Sequence, residues 1–198
     1  MKKIIILSIS LFFLTIYGLN AQKDLSPNYV YRFFNEYGFF TGSTWENSEY
    51  GIMNEGEFGI TGIFVNGVQI GKTHFLGLGL GYEGGVTIGQ GIPIFLNYRY
   101  FFDKGYKVKP YMHLSMGTRY AFWDEERYYE EVNEFGYDVY ISDPIARSGM
   151  GIYSSLGVGF TAHAFSFSTS IYYRSRPGEN LKGIKSFTGV EVKAGFTL

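Results

Sequence analysis

The sequence predicts an all-β fold, a closed antiparallel up-and-down transmembrane β-barrel of about eight strands. Three observations carry that expectation. Side chains sort with a period of two over most of the chain, where a helix would show 3.6. Charged residues and glycines share one face of the alternating segments, while the other face is almost uniformly apolar. The connections alternate between long and short, with both chain ends on the short side.

The clearest strand runs over 108–123, where Met112, Leu114, Met116, Tyr120 and Phe122 alternate with Tyr111, His113, Ser115, Gly117 and Arg119. Segments 92–102, 149–161, 164–175 and 187–198 behave the same way. In 73–84, Leu76, Leu78, Leu80 and Tyr82 oppose Phe75, Gly77, Gly79, Gly81 and Glu83. Two earlier segments sort less cleanly. Residues 29–41 carry aromatics on both faces, with Arg32, Glu36 and Gly38 on one, and the parity of 57–66 is ambiguous. Most of these stretches reach or exceed the ~10 residues that a tilted strand needs to cross a bilayer. Long connections are expected at 42–56, 85–91, 124–148 and 176–186. Short ones are expected within 66–72, at Asp103-Lys104-Gly105 and at Ala162-His163. Asn66-Gly67 is the stronger turn signal in the first of these, with Gly71-Lys72 as the alternative.

Residues 1–21 read as a secretory signal peptide, and 22–198 as one transmembrane β-barrel domain. Lys2 and Lys3 precede an apolar run from Ile4 to Tyr17, and Ala21 closes the segment with a small residue. The run is too short to span a bilayer comfortably. Removing Lys2 and Lys3 takes the formal charge from −1 to −3, which gives no basic balance for nucleic acid. With no Cys there is neither a disulfide framework nor an acylated cysteine, so stability rests on packing and backbone pairing. Aromatics make up 20 % of the chain, more than a soluble domain of this size readily hides. A water-soluble barrel would also alternate, but its solvent face would carry many Lys and Glu. Here that face carries glycine and serine, which suit a narrow interior. The apolar face gathers Tyr82, Tyr98, Tyr100, Phe102, Tyr120, Phe122, Phe160, Tyr173 and Phe196 near strand ends, as interfacial girdles require.

Four stretches resemble the small outer-membrane β-barrel proteins of Gram-negative bacteria. They are Tyr31-Arg32-Phe33-Phe34-Asn35-Glu36-Tyr37-Gly38, Phe75-Leu76-Gly77-Leu78-Gly79-Leu80-Gly81-Tyr82, the segment Ile92 to Phe102, and the closing Val192-Lys193-Ala194-Gly195-Phe196-Thr197-Leu198. The resemblance implies the cell outer membrane as location, with outer-membrane lipid, lipopolysaccharide and the outer-membrane assembly machinery as partners. Phe196 keeps the expected terminal parity, although the last residue is Leu198. The family has no single activity, so the resemblance carries fold and place rather than task.

Parity assigns a lumen polar network to Arg32, Glu36, Glu83, Arg99, Lys109, His113, Arg119, Arg174, Glu191 and Lys193. In an eight-stranded barrel the interior is just wide enough for side chains to fill, so these charges are expected to pair as a plug. His113 and Ser115 form an H-x-S pair that resembles the His/Ser pair of outer-membrane lipid A deacylases, but parity points both inward, away from lipid. Segment 124–147 combines acidic and aromatic residues. With Trp45 it offers Tyr128, Tyr129, Glu130, Glu131 and Tyr137 as an external surface for an unknown extracellular partner. Its spacing matches no calcium loop, and no cofactor or metal motif occurs. The leading expectation is a non-enzymatic barrel acting in surface interaction or envelope structure. A narrow channel for water or small solutes and a lipid A-modifying hydrolase are the alternatives.

Overall fold

The computed structural model describes residues 29–48, 51–103, 105, 107–132, 138–177 and 184–198. The segment read as a signal peptide lies outside them. Eight strands follow in chain order: β1 (Tyr29–Ser48), β2 (Gly51–Ile70), β3 (His74–Gly85), β4 (Gly89–Phe101), β5 (Val108–Val132), β6 (Asp138–Ala162), β7 (Phe165–Pro177) and β8 (Ile184–Thr197). Every neighbour pair is antiparallel, and β8 returns to β1 to close the barrel. Reciprocal bonds between Phe33 and Leu198, each 3.0 Å, finish the seam. Closure leaves no strand edge within the wall, which is what a sheet needs where water cannot satisfy the backbone.

Alternation sorts the wall into two faces. Leu78, Ile94, Leu96, Met116, Met150, Ile152, Val158, Ile171 and Val192 stand exposed outside. Glu36, Glu83, Arg99, Arg119, Arg174, Glu191 and Lys193 are buried inside. This inverts the usual placement of apolar and charged groups. Outward aromatics form two belts. Near the short turns lie the Phe160–Phe167 and Phe165–Phe196 pairs, with His74 Nδ1 2.8 Å from the Tyr98 hydroxyl. Toward the other end lie the stacked Phe39–Phe58 pair and the edge-on Tyr120–Phe122 pair.

The structure corrects two expectations about connections. Asn66-Gly67 is not a turn: Asn66 pairs with Phe33 and Gly67 with Arg32 inside the β1–β2 ladder. The Tyr31 hydroxyl donates to Asn66 Oδ1 at 2.6 Å, and the chain reverses after Ile70, where Gly71 adopts φ 62°. Within the expected long connections, 42–48, 51–56, 124–132 and 138–148 are strand rather than loop. The β1–β2 ladder continues to Ser48↔Gly51, and β5–β6 continues to Val132↔Asp138. Backbone pairing, once in register, propagates as a two-stranded ribbon past the point where the other neighbours stop. The last β4–β5 pair is Gln90↔Phe122, so from Trp123 onward the β5–β6 hairpin stands clear of β4. At a strand rise of about 3.3 Å per residue, it projects roughly 30 Å along its own axis. The rim is therefore uneven, high at β5–β6 and low at the β3–β4 turn.

Candidate functional site: the lumen and its mouth

Interior side chains come from alternate positions of all eight strands, and they pack against glycines on the opposing ladder. A Cβ at Gly79 would overlap the Phe95 ring, and one at Gly159 would press on Tyr111. Glycine on the inner face thus makes room for large interior groups, which explains why charge and glycine share that face.

The half nearer the short turns holds an apolar cluster of Phe34, Ile63, Val65, Phe75, Phe95, Phe101, Tyr111 and Tyr153. Embedded in it, Glu36 and Arg99 form a two-pronged ion pair, Nη1–Oε1 2.8 Å and Nη2–Oε2 2.9 Å. Such fork geometry is among the strongest charged contacts available to Arg. The remaining groups are satisfied around it. Ser166 Oγ donates to Glu36 Oε1 at 3.1 Å, Arg99 Nε donates to Asn97 Oδ1 at 2.9 Å, and Asn97 Nδ2 donates to Ser115 Oγ at 2.8 Å. The guanidinium also lies 3.8 Å from the Phe34 ring centre, a cation–π contact that partly replaces lost hydration.

Farther up sits a second network. Glu83 Oε2 accepts from Arg119 Nε at 3.0 Å, and Glu83 Oε1 lies in an ion pair 2.7 Å from Arg174 Nη2. The same Arg174 Nη2 reaches Glu191 Oε2 at 2.7 Å, and Glu191 Oε1 accepts from Lys193 and from Ser170 Oγ. Arg174 is held between the Phe40 and Tyr172 rings, at 4.3 and 4.0 Å. The mouth is completed by Glu57, whose Oε2 accepts from the backbone N–H groups of Thr87 and Ile88 at 3.0 and 2.7 Å. That contact fixes the β3–β4 turn. Arg176 stacks 4.5 Å above the Trp123 ring.

Of the ten residues assigned to the lumen by parity, eight are buried within it. Arg32 and Lys109 differ. Arg32 is half-buried and lies 5.8 Å from the Phe101 ring centre, at the short-turn opening. Lys109 is also half-buried and pairs with Asp103 at 2.8 Å, because it sits at the start of β5 beside the β4–β5 turn rather than in the interior. Asp103 also accepts from the Gly105 N–H at 2.9 Å. The bonds from Lys109 and Gly105 hold its carboxyl below the usual aspartate range. His113 and Ser115 both face inward. Ser115 is engaged by Asn97, and neither ring nitrogen of His113 has a hydrogen-bond partner, so no His–Ser bond activates the hydroxyl. Among the proposed external residues, Tyr137 and the side chains of Trp45, Tyr128, Tyr129, Glu130 and Glu131 lie outside what the structure describes. The polar network assigned from parity left out Glu57, Trp123, Asn97 and Ser170. Trp123 continues the odd, inward face of β5, so its parity alone would have placed it.

Searches of family models and of curated proteins return no match. Among solved structures, the chain is similar to neisserial surface protein A, with 15 % identity, a TM-score of 0.50, and coverage of 86 % of this chain and 96 % of that one. The fold is that of the small outer-membrane barrels. Ail, the attachment invasion locus protein of Yersinia pestis, aligns at 13 % identity and TM-score 0.47, over 84 % of this chain and 98 % of that one. The outer membrane protein OprG of Pseudomonas aeruginosa aligns at 13 % and 0.40, over 84 % and 95 %.

Proposed function

We propose that the chain is an integral outer-membrane barrel with a closed lumen, acting at the cell surface through its tall β5–β6 hairpin rather than by catalysis. The observation that carries this reading is the two-faced wall. A continuous exposed apolar belt, bounded by aromatics, surrounds an interior of buried ion pairs. Exposed to water, that belt would be far larger than the apolar patches a soluble monomer tolerates. Against lipid it needs no cover, and the outer-membrane lipid and lipopolysaccharide become its solvent. The short turns then face the periplasm, where the assembly machinery would receive the chain, and the hairpin faces outward toward an extracellular partner.

The plug supports a non-conducting barrel. Any path along the axis meets the Phe34, Phe75, Phe95 and Phe101 cluster together with the Glu36–Arg99 pair. Fractionation and planar-bilayer recording test the reading together. The expected outcome is recovery in the outer-membrane fraction, with no single-channel current above background. Recovery in the soluble periplasmic fraction would refute the membrane placement. Discrete conductance would refute the closed lumen.

A further inference from the structure

We propose that the short-turn end of the barrel carries a docking patch for anionic phospholipid headgroups of the periplasmic leaflet. The inference rests on the outward orientation given above and adds a lipid class to it. Two turns build the patch, β2–β3 and β4–β5. They are neighbours because β3 pairs with β4. Backbone bonds tie both down: the Phe101 N–H donates to the Thr73 carbonyl at 2.7 Å, and the Phe102 N–H to the Pro110 carbonyl at 2.8 Å.

Cations outnumber carboxylates at this rim. Asp103 binds Lys109, and Lys72 and Arg32 also lie within electrostatic reach of its carboxyl. Lys107 stands exposed in the same β4–β5 turn. Among the described side chains of this rim Asp103 is the one carboxylate, and Lys109 already claims it. Arg32 rests near the Phe101 ring with its Nε unpartnered. Lys72, Lys107 and Arg32 therefore leave positive charge over. Depth decides what meets it. Phe102 precedes Asp103 and packs edge-on against Tyr100 at 5.1 Å, and His74, two positions after Lys72, meets Tyr98 and Tyr100. Such rings mark the border between hydrocarbon and headgroups, so the cations stand where lipid phosphates lie. Basic side chains beside an anionic leaflet are attracted over about a Debye length, roughly 8–10 Å. A zwitterionic headgroup offsets its phosphate with its own ammonium and gains little, whereas an anionic one leaves the phosphate free to accept from the lysines. The patch is one-sided, since the β6–β7 turn offers His163 between two alanines. The opposite end of the barrel has the other sign, with eight acidic residues against two arginines over 124–147.

The full chain is reconstituted in phosphatidylcholine bilayers with a trace of spin-labelled lipid, and electron spin resonance measures how much lipid the protein immobilises. Labelled phosphatidylglycerol is expected to be preferred over labelled phosphatidylcholine by about threefold at low salt. In roughly 1 M salt, where screening shrinks the range to about 3 Å, that preference should vanish. The exposed double variant Lys72→Gln/Lys107→Gln should lose most of it. Asp103→Asn, which adds net positive charge, should strengthen it, a direction that a merely turn-holding role would not produce. Equal immobilisation of both lipids by wild type, or an unchanged preference in the double variant, overturns the patch and leaves the membrane reading standing. No immobilised lipid of either kind overturns both. Isolated peptidoglycan is offered in parallel. Co-sedimentation that the double variant loses, without any lipid preference, assigns the patch to the cell wall and overturns the lipid as occupant.

Discussion

At the scale of single residues, the interior is governed by the cost of stranding a charge. Glu36 and Arg99 satisfy each other so completely that removing one partner does more harm than removing both. Glu36→Gln is expected to cost about 3–5 kcal/mol, whereas replacing the pair with apolar residues of similar volume costs less than either single change. Urea unfolding in detergent micelles, followed by the folded band, measures both. At the short-turn edge, Asp103 gives a pH signature of known sign. Its carboxyl titrates lower in the folded state than in the unfolded chain. The stabilisation it supplies is therefore present above the ordinary aspartate value, near 3.9, and fades as pH falls below it. Wild type and Asp103→Asn should differ at neutral pH and converge in acid, read as unfolding midpoints. Parity in the sequence showed which of these residues face inward. It could not show who pairs with whom, because Glu36 and Arg99 are 63 positions apart and meet only across the closed barrel.

At the scale of the element, strand existence was legible and strand length was not. Alternation named eight segments, and all eight are strands. The acidic, tyrosine-rich stretch after Phe122 looked like loop because its composition is polar. Yet a two-stranded ribbon with water on both sides imposes no apolar face, so its sequence need not alternate in hydrophobicity. The Asn66-Gly67 signal failed for a related reason, since a favourable turn pair yields when the ladder on both sides continues past it. Two consequences can be measured. Removing residues 126–144 and joining the stubs with a two-residue turn should leave the barrel folded and heat-modifiable, since Phe122↔Ser148 and every pair below it persist. Gly195→Ala should instead cost about 1–3 kcal/mol or block folding. A Cβ there would run into the Asn35 carbonyl across the β8–β1 seam, and backbone within a closed wall has little room to retreat. Refolding yield into micelles distinguishes the two variants.

At the scale of the whole molecule, the same wall serves two solvents, lipid outside and a packed polar filling within. That arrangement predicts a compact form that resists detergent below its unfolding temperature and migrates differently after boiling. Identical migration before and after heating would count against closure. The ring has one further consequence, which concerns time rather than shape. Residue 33 binds residue 198, so the first strand keeps a bare edge until β8 exists. No partial product is a smaller barrel. A ribosome delivers these strands as a sticky, half-matched string that can close only once β8 has been made. The cell must therefore keep the whole string apart from its own copies until the last strand arrives.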